Sequence, residues 1–305
     1  MTEAALRTAD LTKRYGKIGA LKGLTLDVPR GAVFGFLGPN GAGKTTAVKL
    51  LLGLSRATSG EAWVLGAPLS DARRHREARR RVGYLPELFR YQGWLTSREV
   101  LALHCELMRL ERPRWAAEID RALAVVGLAG RERDRVSTYS KGMQQRLGLG
   151  CALLGHPDLV LLDEPTSALD PVGRHDVREI IRELKGDGVT VFLNSHLLSE
   201  VEQVCDRVAI VDEGRVIASG TFDELLAGDS VRVRVTGLPD GALASFGAQV
   251  DRDGDWTVIR GIRGDRIPDL IAEVVRLGAR VYAVEPAHES LEDRFLSLLG
   301  KDQGH

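Results

Sequence analysis

Residues Leu37 to Thr46 read L-G-P-N-G-A-G-K-T-T, and this stretch decides the fold. It holds a G-x-x-x-x-G-K-T pattern from Gly38 to Thr45, directly after the apolar run Val33–Leu37. Glycines at these positions let successive backbone N–H groups surround a phosphate at the positive end of the following helix. The pattern therefore predicts a phosphate-binding loop between a buried strand and a helix.

The side chains of this loop predict a nucleoside triphosphate as its ligand. Lys44 is placed to reach the β- and γ-phosphates, and the Thr45 hydroxyl is placed to meet Mg²⁺. A Gly-Pro-Asn-Gly sequence alone is also typical of an ordinary turn, but the Gly-Lys-Thr that follows and the good helix formers after it disfavour that reading. The residues predicted to bind the nucleotide are Gly38, Pro39, Asn40, Gly41, Ala42, Gly43, Lys44, Thr45 and Thr46.

Composition narrows the class of protein. The chain has 305 residues, enough for about two domains, and 44% of them are hydrophobic. The 42 basic and 42 acidic residues cancel, so no global charge points to nucleic acid or to an anionic membrane surface. Cys105, Cys151 and Cys205 form no C-x-x-C pair, which favours a reduced cytosolic protein without zinc or disulfides. With no long apolar run and no leader-like start, we expect neither a secreted nor a membrane-spanning protein.

Hydrophobic periodicity predicts an α/β core with additions. Alternation in residues 24–28 and 59–66 indicates strands of a small antiparallel β layer beside the phosphate loop. Residues from about 90 to 155 have a helical pattern and predict a helical subdomain. Two continuous apolar runs, 158–163 and 189–194, flank a charged helix at 172–185, which is typical of a parallel sheet buried on both faces.

The character of the sequence changes near residue 227. Valines alternate with arginines from 231 to 235, 256–262 and 280–284 are further strand candidates, and 267–277 is helical in pattern. A last helix is predicted from Ser290, with Leu291, Phe295 and Leu298 on one face. We therefore predict a first domain at 1–227 and a small α+β accessory domain at 228–305, for dimerisation or regulation.

One segment of the sequence is strongly basic. Residues 71–81 read D-A-R-R-H-R-E-A-R-R-R, which suits either a nucleic-acid patch or the solvated face of a helix. No aromatic residues are interleaved, so the solvated face is favoured.

Strand ends supply the candidate catalytic groups. Asp163 and Glu164 end one apolar run, where Asp163 can hold Mg²⁺ beside Thr45 and Glu164 can polarise an attacking water. His196 follows the neighbouring run, at the edge of the sheet from which it can reach the γ-phosphate. A solvated strand end and a structural histidine are the alternatives, and the accompanying phosphate loop disfavours both.

Further motifs follow in a fixed order: Tyr139-Ser140-Lys141-Gly142-Met143-Gln144-Gln145-Arg146, Leu161-Leu162-Asp163-Glu164-Pro165, Ser167-Ala168-Leu169-Asp170 and Asn194-Ser195-His196. With the phosphate loop, they resemble the nucleotide-binding domain of an ABC transporter over residues 5 to 222. The variant motifs, with Gly83-Tyr84-Leu85-Pro86-Glu87, are similar to those of ATPases of the ABC-2 type exporter group. The resemblance implies a P-loop NTPase (RecA-like) core with an antiparallel β layer, a helical subdomain, ATP and Mg²⁺.

The resemblance also assigns roles to residues outside the loop. Tyr15 resembles the residue that stacks on adenine, with packing on the β layer as its alternative. Asp170 would line a subunit interface, and Glu87 stands where the family commonly has the glutamine of the Q-loop. The signature, which contacts ATP held by the other subunit, would be Ser140, Lys141, Gly142, Met143 and Gln144. Lys141 and Met143 depart from the common form, so their roles and that of Glu87 are the least defined.

The resemblance implies an ATPase subunit that drives export through a separate integral-membrane permease. Two copies, or this chain and a homologous subunit, would close head to tail around two ATP molecules at the cytoplasmic face of the membrane. The alternative is a non-transport ABC ATPase acting on ribosomes or DNA, and no nucleic-acid partner is expected. One phosphate loop and about a hundred residues between it and the signature disfavour that alternative. The transported substrate is not encoded in these motifs.

Overall fold

The computed structural model describes residues 4–167, 169–226, 230–239, 249–260, 262, 264–286 and 295. The chain divides into two compact units, Met1–Gly220 and Thr221–His305, each with its own internal packing.

The strands of the first unit form two sheets. In chain order they are β1 (Ala4–Tyr15), β2 (Ile18–Pro29), β3 (Val33–Leu37), β4 (Ser59–Val64), β5 (Ala67–Pro68), β6 (Val82–Leu85), β7 (Leu159–Asp163), β8 (Thr190–Ser195), β9 (Arg207–Asp212) and β10 (Arg215–Thr221). One sheet has the order β2-β1-β4-β5 and antiparallel pairing, and the other has the order β10-β9-β3-β8-β7-β6. The neighbours from β9 to β6 are parallel, so the predicted α/β core with an antiparallel layer is confirmed.

Helices cover these sheets and build the helical subdomain. They are α1 (Lys44–Leu51), α2 (Ala72–Ala78), α3 (Ser97–Leu107), α4 (Trp115–Val125), α5 (Lys141–Ala152), α6 (Pro171–Gly186) and α7 (Leu198–Val204). The helices α3, α4 and α5 pack on one another and form the predicted helical subdomain. The basic run at 71–81 contains α2, followed by a 3₁₀ turn at Arg79–Arg81.

The main core lies around α1. Side chains of both sheets, such as Leu24, Phe36 and Phe192, pack with Val48 and Leu50 of α1 in one buried cluster. Every residue of β3, β7 and β8 is buried, as expected for central strands of a parallel sheet. This packing fixes α1, and with it the loop at its amino end, against the edge of the sheet.

Parallel pairing brings the predicted catalytic residues to that edge. Leu37 of β3 is paired with Ser195 of β8, and Asp163 of β7 is paired with Asn194 of β8. The carboxyl ends of parallel strands meet at the same edge, so the phosphate loop after β3 lies beside the ends of β7 and β8.

The second unit is an α+β structure. Its elements are α8 (Phe222–Leu226), β11 (Ser230–Thr236), β12 (Gln249–Asp253), β13 (Trp256–Arg260), α9 (Ile267–Arg276) and β14 (Arg280–Pro286). The strands form a sheet of order β12-β13-β11-β14, and α9 packs on it through a core that includes Val231, Ile259 and Leu270. The sequence did not predict β12, because its Q-V-D-R-D has a single apolar residue.

The predicted last helix lies almost entirely outside the described residues. Residues 290–294 and 296–305 lie outside the described residues, and Phe295 alone is described there, in helical conformation. Within the described ranges, the helices are too short or too polar to cross a lipid bilayer.

Candidate active site

Two glycines let the phosphate loop lie against its neighbours. A Cβ on Gly38 would stand 2.2 Å from the Val211 carbonyl oxygen, and a Cβ on Gly43 would stand 2.4 Å from the Ala20 carbonyl oxygen. Gly43 also has a φ of 100°, in the left-handed region. The loop is held further by the amide of Gly214, which donates to the Ala42 carbonyl at 2.9 Å. These close approaches explain why the loop needs glycine at both positions.

Lys44, the first residue of α1, folds back over the loop. Its Nζ donates to the carbonyl oxygens of Gly38 at 2.6 Å and Pro39 at 3.2 Å, and the residue is buried. Burial lowers the pKa of the Lys44 ammonium below its usual value, while the nearby carboxylates of Glu164, Asp163 and Glu87 oppose that shift. The ammonium is therefore already oriented within the loop and surrounded by negative charge.

Asp163 is a buried carboxylate at the end of β7. Asn194, its partner on β8, donates a hydrogen bond from Nδ2 to Asp163 Oδ1. Burial raises the pKa of the Asp163 carboxyl above its usual value, although the bond from Asn194 favours the ionised form. Asn194 thus fixes the orientation of a carboxylate that the apolar strand would otherwise leave without a partner.

Glu164 has an unusual backbone and a direct histidine partner. Its φ is 52°, rare for a non-glycine residue, and its amide donates to the Asn194 carbonyl at 2.9 Å. The carboxylate Oε2 lies 2.7 Å from His196 Nδ1. Glu164 is buried, whereas the His196 side chain is 48% exposed, so the pair joins the interior of the site to its mouth.

These groups line one cavity of about 250 Å³. The predicted residues on its wall are Pro39, Asn40, Gly41, Gly43, Lys44, Thr45, Thr46, Glu87, Asp163, Glu164 and His196. Gly38 belongs to the same loop and presents its carbonyl to Lys44, and Ala42 is buried behind the loop. A nucleoside triphosphate placed in this cavity would meet one ammonium, two threonine hydroxyls, one imidazole and three carboxylates.

The remaining predicted residues are not among the described residues that line this cavity. Tyr15 lies at the end of β1, 49% exposed, with Lys13 Nζ 4.7 Å from its ring centre. Asp170 caps the amino end of α6, its Oδ1 accepting from the Gly173 amide at 2.8 Å. Neither residue touches the phosphate site within the single chain.

The predicted signature occupies the amino end of α5. Ser140 is the N-cap, and its hydroxyl accepts from the Met143 amide at 3.2 Å. Gln144 donates to the Tyr139 carbonyl at 3.2 Å, and Gly142 is half-buried. Ser140 and Lys141 are exposed. The signature therefore presents a helix amino terminus outward instead of into this chain's own cavity.

The cavity has the oxygen ligands that Mg²⁺ prefers. Thr45 and Asp163 both line it, which fits a hydroxyl and a carboxylate on one hard cation. Within the described ranges, no group of three or more His, Cys, Asp or Glu side chains is arranged to bind a metal by itself. The residues fit a magnesium ion that is held jointly by protein oxygens and phosphates.

Two residues of the site were not predicted. Asn194 was part of a quoted motif without a role, although its place at the end of a buried strand beside Asp163 was a usable indication. Ala20 reaches the cavity from β2, the strand that precedes β3, and no motif of the sequence indicates this contact.

A comparison with protein families identifies a related family. A family model described as ABC transporter matches residues 21–167. An uncharacterized ABC transporter ATP-binding protein of Nostoc sp. is 38% identical, over 98% of this chain and 91% of the relative. The bacitracin transport ATP-binding protein of Bacillus licheniformis is 34% identical, over 97% of each chain. The daunorubicin/doxorubicin resistance ATP-binding protein of Streptomyces peucetius is 36% identical, over 97% of this chain and 92% of that one.

Solved structures agree with these matches. A structure of an ATP binding subunit of an ABC transporter, 32% identical, covers 73% of this chain and 92% of its own, with a TM-score of 0.66. The cbiO1 structure from Clostridium perfringens, described as part of an ABC transporter complex, is 26% identical and has a TM-score of 0.67. It covers 74% of this chain and 91% of that one.

Proposed function

The chain belongs to the ATP-binding proteins of ABC transporters, and we propose that it powers export by ATP-driven closure of two such subunits on a separate membrane permease. Binding and hydrolysis of ATP are the activities of this family. The single observation that carries the proposal is the cavity that holds Lys44, Asp163, Glu164 and His196 while the signature lies elsewhere.

The division of the site supports a dimer. The helix amino terminus at Ser140 is suited to bind an anion. It does not line the cavity that contains this chain's own phosphate loop. A second subunit placed head to tail would set its signature over this chain's ATP, with Asp170 at the interface. The second subunit is a copy of this chain or a homologous ATPase.

For hydrolysis, we propose Glu164 as the group that accepts a proton from the attacking water. His196 holds the Glu164 carboxylate through the 2.7 Å hydrogen bond and is exposed enough to meet the γ-phosphate at the mouth of the cavity. Lys44 moves from the loop carbonyls to the phosphate oxygens, and the adenine stacks on Tyr15. Product phosphate weakens the closure, and the two subunits separate.

Magnesium would be held by Thr45 and Asp163. When bound, the ion neutralises charge on the β- and γ-phosphates. Asn194 keeps Asp163 pointed toward it, and Glu87 adds a third carboxylate to the same cavity.

The export direction and the location are supported by the relatives. Two of them are named for bacitracin transport and for daunorubicin/doxorubicin resistance, and we infer the direction of transport from the second name, because removal of a drug from the cell would give resistance. We therefore place this chain at the cytoplasmic face of the cell membrane, bound to its permease, without assigning a cargo.

We propose that the second unit, predicted as residues 228–305, is a dimerisation appendage. Its described residues form a small sheet with α9 packed on one face. Truncation after residue 228 should weaken dimer closure and leave ATP binding intact. Unchanged closure and ATPase activity would contradict this role and favour a regulatory one.

The proposal is tested by isolating the tagged chain from detergent-solubilised native membranes and identifying what accompanies it by mass spectrometry. We expect a stoichiometric protein with several membrane spans. Ribosomal or DNA-bound proteins without such a membrane protein would contradict transport and support the alternative, an ABC ATPase acting on ribosomes or DNA.

A further inference from the structure

His196 lies in a short connection between a strand and a helix. β8 ends at Ser195 and α7 begins at Leu198. The Leu197 amide donates to Ser195 Oγ at 3.0 Å, which fixes the turn between the two elements. β8 is a buried strand in the middle of its sheet, so its end is held firmly. The position of His196 therefore depends on how firmly α7 is held.

The helix α7 needs support from other elements. It has seven residues, and a helix of that length is not stable by itself in water, because its nucleation is costly. Its N-cap residue, Leu197, provides no side-chain hydrogen bond to the amino end. Val201 and Val204 are buried, but apolar packing has no preferred direction. Polar contacts must therefore set the orientation of α7.

Two arginines of α6 provide such contacts. Arg178 Nη1 donates to Glu200 Oε2 of α7 at 2.8 Å. Arg182 lies one turn further along α6, and its Nη2 donates to the Gln203 carbonyl of α7 at 3.2 Å. The two contacts attach α7 to α6 at both ends of the short helix.

The contact of Arg178 differs from that of Arg182 in burial and in place. The Arg178 and Glu200 side chains are 15% and 8% exposed, whereas the Arg182 side chain is 44% exposed. Charges that are shielded from water interact more strongly than exposed ones. Glu200 also lies in the first turn of α7, which is the turn nearest to His196. The buried pair is therefore the contact best placed to position the histidine.

The helix α6 is a firm support for this pair. It has 16 residues, and its Val177 and Ile181 side chains are buried. Asp176, in the same turn as Arg178, lies 3.4 Å from Arg146 Nη1 of α5. Because α6 is long and anchored while α7 is short, the ion pair transmits the position of α6 to α7.

We propose that Arg178 and Glu200 are positioning residues for ATP hydrolysis, whose ion pair holds α7 so that His196 keeps its hydrogen bond to the Glu164 carboxylate. The inference rests on the proposed function, because it takes His196 and Glu164 as groups that act at the γ-phosphate. Neither Arg178 nor Glu200 is among the described residues that line the nucleotide cavity. Both therefore act through His196 and have no direct contact with ATP.

A purely structural ion pair is the alternative. Buried ion pairs add little to stability relative to apolar side chains of the same size, so stability alone is a weak reason for this pair. A structural pair would change the free energy of unfolding and leave hydrolysis by the folded protein unchanged. A positioning pair changes the rate of hydrolysis and leaves ATP binding unchanged.

The test compares the two arginines of α6. Arg178→Ala removes the buried contact, and Arg182→Ala removes the exposed contact to the same helix. His196→Ala gives the reference loss, and the double variant R178A/H196A completes a double-mutant cycle. Single-turnover hydrolysis and ATP affinity are measured on each purified full-length chain.

We expect Arg178→Ala to hydrolyse ATP about 10- to 100-fold more slowly, because a small misplacement of a reacting group lowers a rate to this extent. Its affinity for ATP should equal that of the wild type. Arg178→Lys keeps the charge and should recover most of the rate, and Arg182→Ala should hydrolyse normally. In R178A/H196A the rate should be that of His196→Ala alone.

Histidine NMR gives a measurement that does not depend on activity. In the nucleotide-free chain labelled with ¹³C-histidine, the ring signal that is absent from His196→Ala identifies His196. Arg178→Ala should shift this signal, and Arg182→Ala should not. Proper folding of Arg178→Ala is shown by unchanged signals of histidines outside α6 and α7, which are His75, His104 and His156. If Arg178→Ala does not fold, Glu200→Gln is the second variant, with a smaller expected loss of rate.

Three results would overturn the inference. A normal rate in folded Arg178→Ala, with a strong loss in His196→Ala, would exclude positioning and leave the proposed role of His196 standing. A further loss in R178A/H196A, or an equal loss of ATP affinity in Arg178→Ala, would show that the arginine acts independently of His196. Normal hydrolysis by His196→Ala would remove the proposed role of His196 and the inference together.

Discussion

The nucleotide cavity and a larger groove lie in the same unit and differ in the signs of the charges that line them. In the cavity of about 250 Å³, Lys44 faces the carboxylates of Glu87, Asp163 and Glu164. The groove has a volume of about 1300 Å³ and lies between the 3₁₀ turn after α2, the segment from β6 to α3, and the helices α3 and α5. Five arginines line it, Arg76, Arg79, Arg80, Arg90 and Arg109, and no described lining residue is acidic. The small site has both signs of charge, whereas the large one has a single sign.

The two regions also differ in how their charged side chains are held. A catalytic site works best when its polar groups are oriented before the reaction, and Asn194 on Asp163 and His196 on Glu164 provide that orientation. In the groove, Arg76, Arg80, Arg90 and Arg109 have no side-chain partner in the described part of the chain. The charged groups of the cavity are therefore held by one another, whereas most of those in the groove are not.

We expect the largest effect when the positive charge of the cavity is removed. Lys44→Ala should weaken ATP binding about 100-fold, because each hydrogen bond lost to a charged group is worth about 1.5–3 kcal/mol. Titration with a fluorescent ATP analogue measures this loss. Lys49→Ala, an exposed lysine on the same helix, is the control and should bind normally. Normal affinity in Lys44→Ala would disprove the assignment of the loop.

A smaller effect tests the orientation of Asp163. Asn194→Ala removes the hydrogen bond to this buried carboxylate, so the Mg²⁺ concentration for half-maximal ATP binding should rise about tenfold, as for other residues that orient a metal ligand. Binding of ATP without Mg²⁺ should stay as in the wild type. An equal loss with and without the ion would mean that Asn194 supports the loop and has no special relation to the metal.

The smallest effect is expected in the groove. Arg80→Ala should change the free energy of unfolding by less than about 0.5 kcal/mol, because Arg80 has no partner in the described part of the chain. Urea unfolding of the purified protein gives this value. A loss of several kcal/mol would show that the arginine has a structural role, and the contrast between the two regions would not hold.

Much of the fold was predictable because its determinants are local. The phosphate loop, the buried runs of β3, β7 and β8, and the carboxylates at their ends all depend on short patterns read along one segment. Because the ends of parallel strands meet at one edge of a sheet, the sequence also predicted that Asp163, Glu164 and His196 lie at that edge. All three line the same cavity.

The other features of the fold and of the site depend on contacts between segments that are separated in the sequence. Arg80 and Arg81 are neighbours in one basic run, but Arg81 pairs with Asp158 from the segment before β7, and Arg80 has no such partner in the described ranges. The run was interpreted as a solvated helix face, since a sequence pattern does not show which charges find counter-ions after folding. Ala20 in the cavity and the outward position of Tyr15 likewise follow from tertiary packing.

We propose that one chain holds only part of a site that two chains complete, and Glu164→Gln provides a direct test. This change keeps the size of the side chain and removes the proposed base, so hydrolysis should fall about 10²–10⁴-fold while ATP still binds. In sedimentation velocity the variant should be a dimer with ATP and a monomer without it. A variant that binds ATP and remains a monomer would contradict the account.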